Sequence, residues 1–189
     1  MNLTFHPVTP DRWDDFEKLF GKNGACGGCW CMSFRLRRKD FDANKGEPHK
    51  QAMKAIIESG EMPGLLAYDG AEPIGWAAVS PRDVFVRLET SRTLKNIDGR
   101  PVWSIPCFFV AKRYRRQGVT TALLNAAVEF VRQQGGEVLE GYPNVPSQEL
   151  PPPFLWTGVQ SAFLKAGFTE VARPSQSKAI MRKNTTHHE

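Results

Sequence analysis

Residues 102–134 constrain the fold of this chain more than any other stretch. They open with VWSIPCFFV, an apolar run typical of a strand, and pass through the basic turn AKRYRRQG. The segment that follows has apolar residues at helical spacing, namely Val119, Ala122, Leu123, Ala126, Ala127, Phe130 and Val131. We therefore predict a strand, a turn, and an amphipathic helix over about 118–134.

The turn has the properties of a phosphate site. A strand that leads into a helix presents unpaired backbone N–H groups at the positive end of the helix dipole. Side-chain donors are added by Arg113, Arg115, Arg116 and Gln117, and Gly118 allows close approach of the backbone to a ligand. The patterns GxxxxGKS/T and GxGxxG are absent, which excludes a P-loop and a dinucleotide fingerprint. The sequence therefore predicts another kind of phosphate or pyrophosphate site.

Residues 115–120, RRQGVT, resemble the acetyl-CoA-binding motif of the GNAT superfamily of N-acetyltransferases, Gln/Arg-x-x-Gly-x-Gly/Ala. Thr120 stands where the family prefers Gly or Ala. The hairpin LLAYDGAEPIGWAAV and the segment SAFLKAGFTEV resemble the family's second and third strands, and its last helix with the next strand. The resemblance covers roughly residues 2–183. It implies an α/β (α+β) fold: a mixed, twisted central sheet, helices on both faces, and a splay between the fourth and fifth strands.

The same resemblance implies that acetyl-CoA lies in that splay. Backbone groups of Phe108, Phe109 and Val110 would meet the pantetheine arm. The pyrophosphate would be held by the motif residues Arg115, Arg116, Gln117, Gly118, Val119 and Thr120. Thr157 and Ser161, on the last helix, which the sequence predicts over Phe154 to Ala166, are further candidates for contacts with the cofactor arm. Phe163 occupies the position at which many family members carry a tyrosine general acid, so that acid is missing here.

Acyl transfer to an amine needs a base for the ammonium proton and an N–H donor for the oxyanion. The resemblance places the donor near Phe109. Strand alternation puts Glu140 and Tyr142 on one side of the fifth strand, which makes them a candidate base and acid. Two further candidates are Ser104, which could orient a water, and Glu89, which could reach the substrate amine. The alternative is that Glu140 forms a structural salt bridge and Tyr142 packs.

Three cysteines, Cys26, Cys29 and Cys31, form the cluster CGGCWC. They could bind zinc, with a fourth ligand from His6, His49 or Cys107, or act as a redox-sensitive dithiol. We interpret the segment as one that binds no metal, joins the first two helices, which the sequence predicts over about 10–20 and 48–59, and lines the acceptor side of the cleft. The run GCWCMSFR also resembles a segment in one subgroup of the same family.

Length and composition set the remaining limits. A chain of 189 residues suits one domain, predicted over 1–184, with a disordered tail at 185–189. No 18-residue apolar run and no signal-peptide pattern occur, so we expect a cytoplasmic protein without a membrane partner. The net charge of +5 comes without an aromatic-interleaved basic motif, so no nucleic-acid partner is expected. The proline-rich residues 145–153 are interpreted as a lid, a spacer or a contact in a possible homodimer.

Together these observations predict an acetyl-CoA-dependent N-acetyltransferase. The acceptor would be a primary amine of a small molecule that attacks directly in a ternary complex. One alternative is a non-catalytic acyl-CoA-binding module that senses redox state or metal through its cysteines. Another is an acetyltransferase for protein N-termini or lysines. The insert at 82–100 and the proline-rich loop favour an enclosed small-molecule pocket over an open peptide groove.

Overall fold

The computed structural model describes residues 1–145 and 156–186. Seven strands are present in this part of the chain: β1 (Leu3–Pro7), β2 (Gly64–Asp69), β3 (Glu72–Pro81), β4 (Trp103–Val110), β5 (Val138–Gly141), β6 (Thr169–Ser175) and β7 (Lys178–Asn184). They form one mixed sheet in the order β1-β2-β3-β4-β5-β7-β6. Neighbouring strands are antiparallel except β4 and β5, which are parallel.

Helices connect the strands and cover the sheet. The described α-helices are α1 (Trp13–Phe20), α2 (Arg38–Ala43), α3 (Glu47–Glu58), α4 (Val86–Glu89), α5 (Val119–Gln133) and α6 (Gln160–Lys165). None of the helices in the described residues has the length and hydrophobicity needed to span a bilayer. The short helices α2 and α4 lie in segments for which the sequence predicted no regular structure.

The sheet has a hydrophobic core on each face, because successive strand residues point to opposite sides. Trp76 of β3 packs in the core that contains Phe16 of α1 and Met53 of α3. Its neighbour Ala77 belongs to the other core, with Leu123 of α5. Helices therefore lie on both faces of a mixed sheet, which confirms the predicted fold class.

The parallel pairing of β4 with β5 is short. It covers Trp103 to Ile105 on β4, opposite Leu139 to Gly141 on β5. β5 then ends, whereas β4 continues to Val110. The two strands thus separate beyond Ile105, and the splay predicted between the fourth and fifth strands is present.

Two segment boundaries differ from the sequence prediction. The last helix, predicted to begin at Phe154, begins at Gln160, because Gly158 has φ of +82° and Val159 is extended. Phe154 itself lies outside the described residues. Thr185, predicted to belong to a disordered tail, is buried, and its backbone N–H donates to the carbonyl of Glu137 at 2.9 Å. That hydrogen bond extends the ordered chain past residue 184.

Candidate active site

A cavity of about 500 Å³ opens where β4 and β5 separate. Its walls come from the end of β4, the following turn, the start of α5, and the segment from Trp156 to Lys165. The predicted cofactor residues that line it are Phe108, Phe109, Val110, Arg115, Arg116, Gly118, Val119, Thr120 and Ser161. Gln117 and Thr157 are the two predicted cofactor residues that do not line it.

The first turn of α5 faces this cavity. Gly118 precedes the helix with φ of +82°, a left-handed conformation that favours glycine. A Cβ at Gly118 would meet nothing within 4 Å, so the backbone conformation and not crowding calls for glycine here. No side chain caps the helix start, which leaves the first N–H groups, near Val119 and Thr120, for a ligand.

Arginine and glutamine side chains shape the turn itself. Arg115 is exposed, and its Nε donates to the carbonyl of Val110 at 3.0 Å, which ties the turn to the end of β4. Gln117 donates to the carbonyl of Arg113 at 2.6 Å and therefore stabilises the turn from outside the cavity. Arg113 points away as well, because it pairs with Glu72 at 3.2 Å. Arg115 and Arg116 are the positive charges of the turn that border the cavity, and Lys165 of α6 borders it from the other side.

The backbone of β4 presents alternate N–H groups to the splay. The N–H of Phe108 donates to the carbonyl of Trp156 at 2.7 Å, on the open side of β4. The N–H of Ala111 donates to Ile74, on the β3 side. Alternation along the strand therefore turns the N–H of Phe109 toward β3 and that of Val110 toward the splay. The donor expected near Phe109 is thus the N–H of Val110.

Thr157 faces a partly buried lysine instead of the cavity. The Nζ of Lys178 donates to Thr157 Oγ1 at 2.7 Å, to Asn144 Oδ1 at 2.9 Å and to the carbonyl of Tyr142 at 3.0 Å. We call these four residues the Lys178 clamp. Burial lowers the pKa of Lys178 to about 8. The clamp joins the end of β5 to the segment that forms a cavity wall.

The predicted base, Glu140, is fully buried between two arginines. Arg82 Nη1 lies 3.0 Å from Glu140 Oε1, and Arg182 Nε lies 2.6 Å from Glu140 Oε2. Both carboxylate oxygens are therefore occupied, and Glu140 has no exposed surface. Local sequence patterns carried no signal for either arginine, because each lies on an element that is distant from Glu140 in sequence.

The other predicted catalytic residues join the same cluster. Tyr142 donates its hydroxyl proton to Glu140 Oε1 at 2.7 Å and accepts from Arg82 Nη1 at 2.8 Å. Ser104 Oγ lies 2.8 Å from the Tyr142 oxygen and acts as donor, because the tyrosine proton is already used. Burial raises the pKa of Tyr142 well above its usual value, so this phenol keeps its proton.

Two acidic side chains complete the cluster at its exposed edge. Glu89 Oε1 lies 2.8 Å from Arg82 Nε as an ion pair, without the alignment of a hydrogen bond. Asp98 accepts from Arg182 at 2.6 and 3.1 Å, and this arginine lowers the pKa of Asp98 to about 2. We call the seven residues the Arg82 network: Arg82, Glu89, Asp98, Ser104, Glu140, Tyr142 and Arg182.

The Arg82 network contains all four predicted catalytic residues, and none of them lines the cavity. Glu140 and Tyr142 do share one side of the strand, as alternation predicted. Their full engagement with buried partners favours the structural interpretation, in which Glu140 forms a salt bridge and Tyr142 packs. The network lies at the start of the splay, since Ser104 and Glu140 are register partners there.

The cysteines occupy three different environments. Cys26 is exposed and lines the cavity together with Ala25, which sequence analysis did not single out. Burial raises the pKa of Cys29 to about 11. Cys31 is buried against Cys107, and its Sγ accepts from Trp76 Nε1 at 3.0 Å. Within the described residues no three His, Cys, Asp or Glu side chains converge as a metal site, so this geometry does not support the zinc alternative.

Phe163, at the family's tyrosine position, is packed into the core. Its ring centroid lies 6.0 Å from that of Phe108 and 5.1 Å from that of Phe168. A Cβ at Gly141 would lie 2.2 Å from the Phe163 ring, so the end of β5 approaches this ring without a side chain between them. The ring packs against the end of β5 and against Phe108 of β4, and it has no proton to donate.

A family model described as the acetyltransferase (GNAT) family matches residues 30–150. The chain therefore belongs to the GNAT family, a class of acyltransferases. An uncharacterized N-acetyltransferase of Methanocaldococcus jannaschii is 24% identical over 175 residues, which is 88% of this chain. The chain spans 61% of the length of that relative.

Solved structures of low sequence identity share the fold. Arylalkylamine N-acetyltransferase 2 from Aedes aegypti is 15% identical with a TM-score of 0.59, over 98% of this chain and 100% of that one. PaiA N-acetyltransferase from Thermoplasma acidophilum, solved with coenzyme A, is 14% identical with a TM-score of 0.54, over 97% and 99%. These matches confirm the predicted fold, and the family model confirms the predicted family. The resemblance of the GCWCM segment to one subgroup stays a prediction.

Proposed function

We propose that this chain transfers the acetyl group of acetyl-CoA to a primary amine of a small molecule, by direct attack in a ternary complex. The observation that carries the proposal is the cavity at the splay, which joins an open strand edge to an uncapped helix start. Acetyl-CoA carries a pyrophosphate, which suits the helix start, and an arm that ends in a thioester, which suits the open strand edge.

The cofactor would lie along the cavity with its pyrophosphate at the start of α5 and its acetyl group in the splay. The N–H groups at the start of α5 would bind the pyrophosphate, with the guanidinium groups of Arg115 and Arg116 beside it. The pantetheine arm would follow β4, where Val110 offers its N–H. Ser161 on α6 lies on the opposite wall. The acetyl group would then reach the closed end of the splay.

The transfer itself needs a deprotonated amine. Among the described residues that line the cavity there is no carboxylate and no imidazole. We therefore propose that the proton of the acceptor ammonium leaves through solvent and not to Glu140, which is buried and ion-paired. The oxyanion would be stabilised by a backbone N–H of β4, and the coenzyme A thiolate would take a proton from water. The Arg82 network would act as a positioning device that fixes where β4 and β5 separate.

A cavity of about 500 Å³ suits a cofactor arm and a small acceptor, which supports the small-molecule proposal over a peptide acceptor. The sensing alternative has one supporting observation, the exposed Cys26 at the cavity wall. The cytoplasmic location and the homodimer remain predictions. So does the lid, whose residues 146–153 lie outside the described residues.

Calorimetry with acetyl-CoA, followed by a thiol-release screen across amines and peptides, tests the proposal. Binding with turnover on a small amine supports it. Turnover on peptides only would replace the acceptor class. Binding without turnover on any acceptor would favour the sensing module. No binding would remove acetyl-CoA from the proposal altogether.

A further inference from the structure

Three arginines surround a surface depression outside the cofactor cavity. Arg37 and Arg38 stand at the start of α2, and Arg87 lies on α4. The hydroxyl-bearing residues Thr90 and Ser91 complete the lining. We call this depression the arginine pocket. Its lining offers hydrogen-bond donors and positive charge, and it contains no carboxylate.

The positive charge of the arginine pocket is only partly balanced. Asp42 lies 3.6 Å from Arg38, but it also pairs with Lys45 at 3.2 Å. In the described part of the chain, no carboxylate lies within ion-pair distance of Arg37 or Arg87. Burial, and then the charge of Arg38, lower the pKa of Arg87. An anion between these guanidinium groups would reduce their mutual repulsion, and its attraction would offset the cost of burying Arg87.

Arg87 is held in place before any ligand arrives. Its Nη1 donates to the carbonyl of Ser33 at 3.1 Å, and its Cζ lies 5.4 Å from the ring centroid of Phe34. The backbone N–H of Arg87 also donates to the carbonyl of Phe34 at 3.0 Å. The Nε and Nη2 groups have no such partner in the described residues. A fixed guanidinium with a free edge is suited to bidentate binding of an oxyanion.

The arginine pocket is close to the cofactor cavity. The Phe34 ring lies 5.4 Å from the ring of Trp156, and Trp156 lines the cavity. The carbonyl of Trp156 also accepts from Phe108 on the open edge of β4. Two aromatic rings therefore separate the arginines from the place where the thioester would lie. An acceptor held at the arginine pocket therefore needs a chain long enough to extend past both rings before its amine meets the thioester.

We propose that the arginine pocket binds the oxyanion end, a carboxylate or a phosphate, of the amine that accepts the acetyl group. This inference rests on the proposed function and narrows its substrate class. The amine of such a molecule would reach the splay while its acidic end is held by Arg37 and Arg87. Amines without an acidic group would lack this anchor and bind more weakly.

The test is a thiol-release assay with matched amine pairs whose chains are long enough to extend past both rings: 8-aminooctanoate against octylamine, and 6-aminohexyl phosphate against hexylamine. The first pair tests a carboxylate and the second a phosphate. We expect the wild-type protein to show a lower KM for the acidic member of at least one pair. The variants Arg37→Gln and Arg87→Gln should raise that KM by roughly tenfold or more, the effect of a lost charged hydrogen bond, with kcat little changed.

Two features keep this test decisive. Lys39→Gln removes an equal charge from an exposed position on α2 outside the pocket, and it should preserve the preference for the acidic amine. Arg37 is exposed, so its replacement should leave the fold intact even if Arg87→Gln does not. The proposal is overturned if the wild-type protein shows no preference for either acidic amine, or if the preference survives in both arginine variants.

A binding measurement separates this proposal from the proposed function. Glutarate and inorganic phosphate are titrated calorimetrically into the protein with coenzyme A present at saturation, so that these anions cannot occupy the pyrophosphate site. If coenzyme A does not bind, the titration uses Arg115→Ala, in which that site is weakened. Heat of binding that disappears in Arg37→Gln but not in Lys39→Gln supports the pocket even if no amine is acetylated. Absence of binding by both anions to the wild-type protein, together with no preference in the assay, contradicts it.

Discussion

Arg82 Nη1 lies 3.0 Å from Glu140 Oε1, and each of the two side chains is almost completely removed from solvent. A buried ion pair of this kind has lost its hydration, so each charge depends on its partner. Glu140 also accepts a hydrogen bond from Arg182, and Arg82 also donates one to Tyr142. The pair therefore couples the start of the splay to β7 and to the segment that precedes α4.

Glu140→Gln should destabilise the protein strongly. The substitution removes the buried counter-charge that Arg82 and Arg182 share, so that among the described residues each arginine keeps only one acidic partner, Glu89 or Asp98, at the exposed edge of the network. Breaking a buried ion pair costs about 3–5 kcal/mol. The measurement is the free energy of unfolding in urea. A stable Glu140→Gln variant with full coenzyme A affinity and strongly reduced turnover would instead support Glu140 as the catalytic base.

Glu89→Gln is the matched control on the same arginine. Glu89 is half exposed, and its pair with Arg82 lies at the edge of the network. Loss of an exposed pair changes the free energy of unfolding by less than about 1 kcal/mol. We expect near-normal stability and turnover for this variant. A large loss of turnover at unchanged stability would restore Glu89 as a residue that acts on the amine.

Arg115→Ala should weaken coenzyme A binding by about 1.5–3 kcal/mol, the range for a charged hydrogen bond. Arg113→Ala is the control, because Arg113 lies in the same turn, carries the same charge and pairs with Glu72 outside the cavity. Calorimetric titration with coenzyme A measures both affinities. Equal losses in the two variants would indicate a general electrostatic effect, and no loss in either would contradict the pyrophosphate site.

Gly141→Ala should destabilise the end of β5. The new Cβ would lie 2.2 Å from the Phe163 ring, and overpacking of a core costs about 1–3 kcal/mol. Phe163→Leu would provide room for that methyl group. In a double-mutant cycle the two substitutions together should cost less than the sum of the single effects. Strict additivity would show that the two positions are not in contact.

Lys178 should make the stability rise with pH in the alkaline range. Its folded pKa of about 8 lies below the value of about 10.4 for an unfolded lysine. Between these values the unfolded chain binds more protons, so the cost of burying the ammonium is fully present below pH 8 and disappears toward pH 10.4. The free energy of unfolding of the wild-type protein should therefore increase relative to Lys178→Met over this interval. Parallel pH profiles for the two proteins would refute the lowered pKa.

Long periodic segments were predictable from the sequence. The helix expected over 118–134 is found at Val119–Gln133, because four turns of apolar residues on one face define both its type and its length. The last helix was predicted too long. The apolar spacing of this helix continues through Gly158 in the sequence. The left-handed conformation of Gly158 nevertheless keeps the helix from extending to that residue, and local spacing does not predict this conformation.

The candidate site was predictable where it follows from one continuous segment. The turn from Arg115 to Thr120 borders the cavity because strand, turn and helix are contiguous. The proposed catalytic pair was different. Strand alternation correctly put Glu140 and Tyr142 on one side, but Arg82 and Arg182, which occupy both carboxylate oxygens, come from positions 58 and 42 residues away. Such long-range partners have no signature in local spacing.

The chain leaves the sheet at Asn144, and residues 158–160 lie beside this asparagine again. The N–H of Asn144 donates to the carbonyl of Gly158, and its carbonyl accepts from Gln160, each at 2.9 Å. Lys178 bonds both sides of this junction. Because the cost of closing a loop grows only slowly with its length, replacements of different length and composition between these anchors should leave the fold intact. The junction of Asn144 with Gly158 and Gln160 therefore makes the cofactor scaffold a separate unit of evolution, which can keep its geometry while the sequence between these anchors varies.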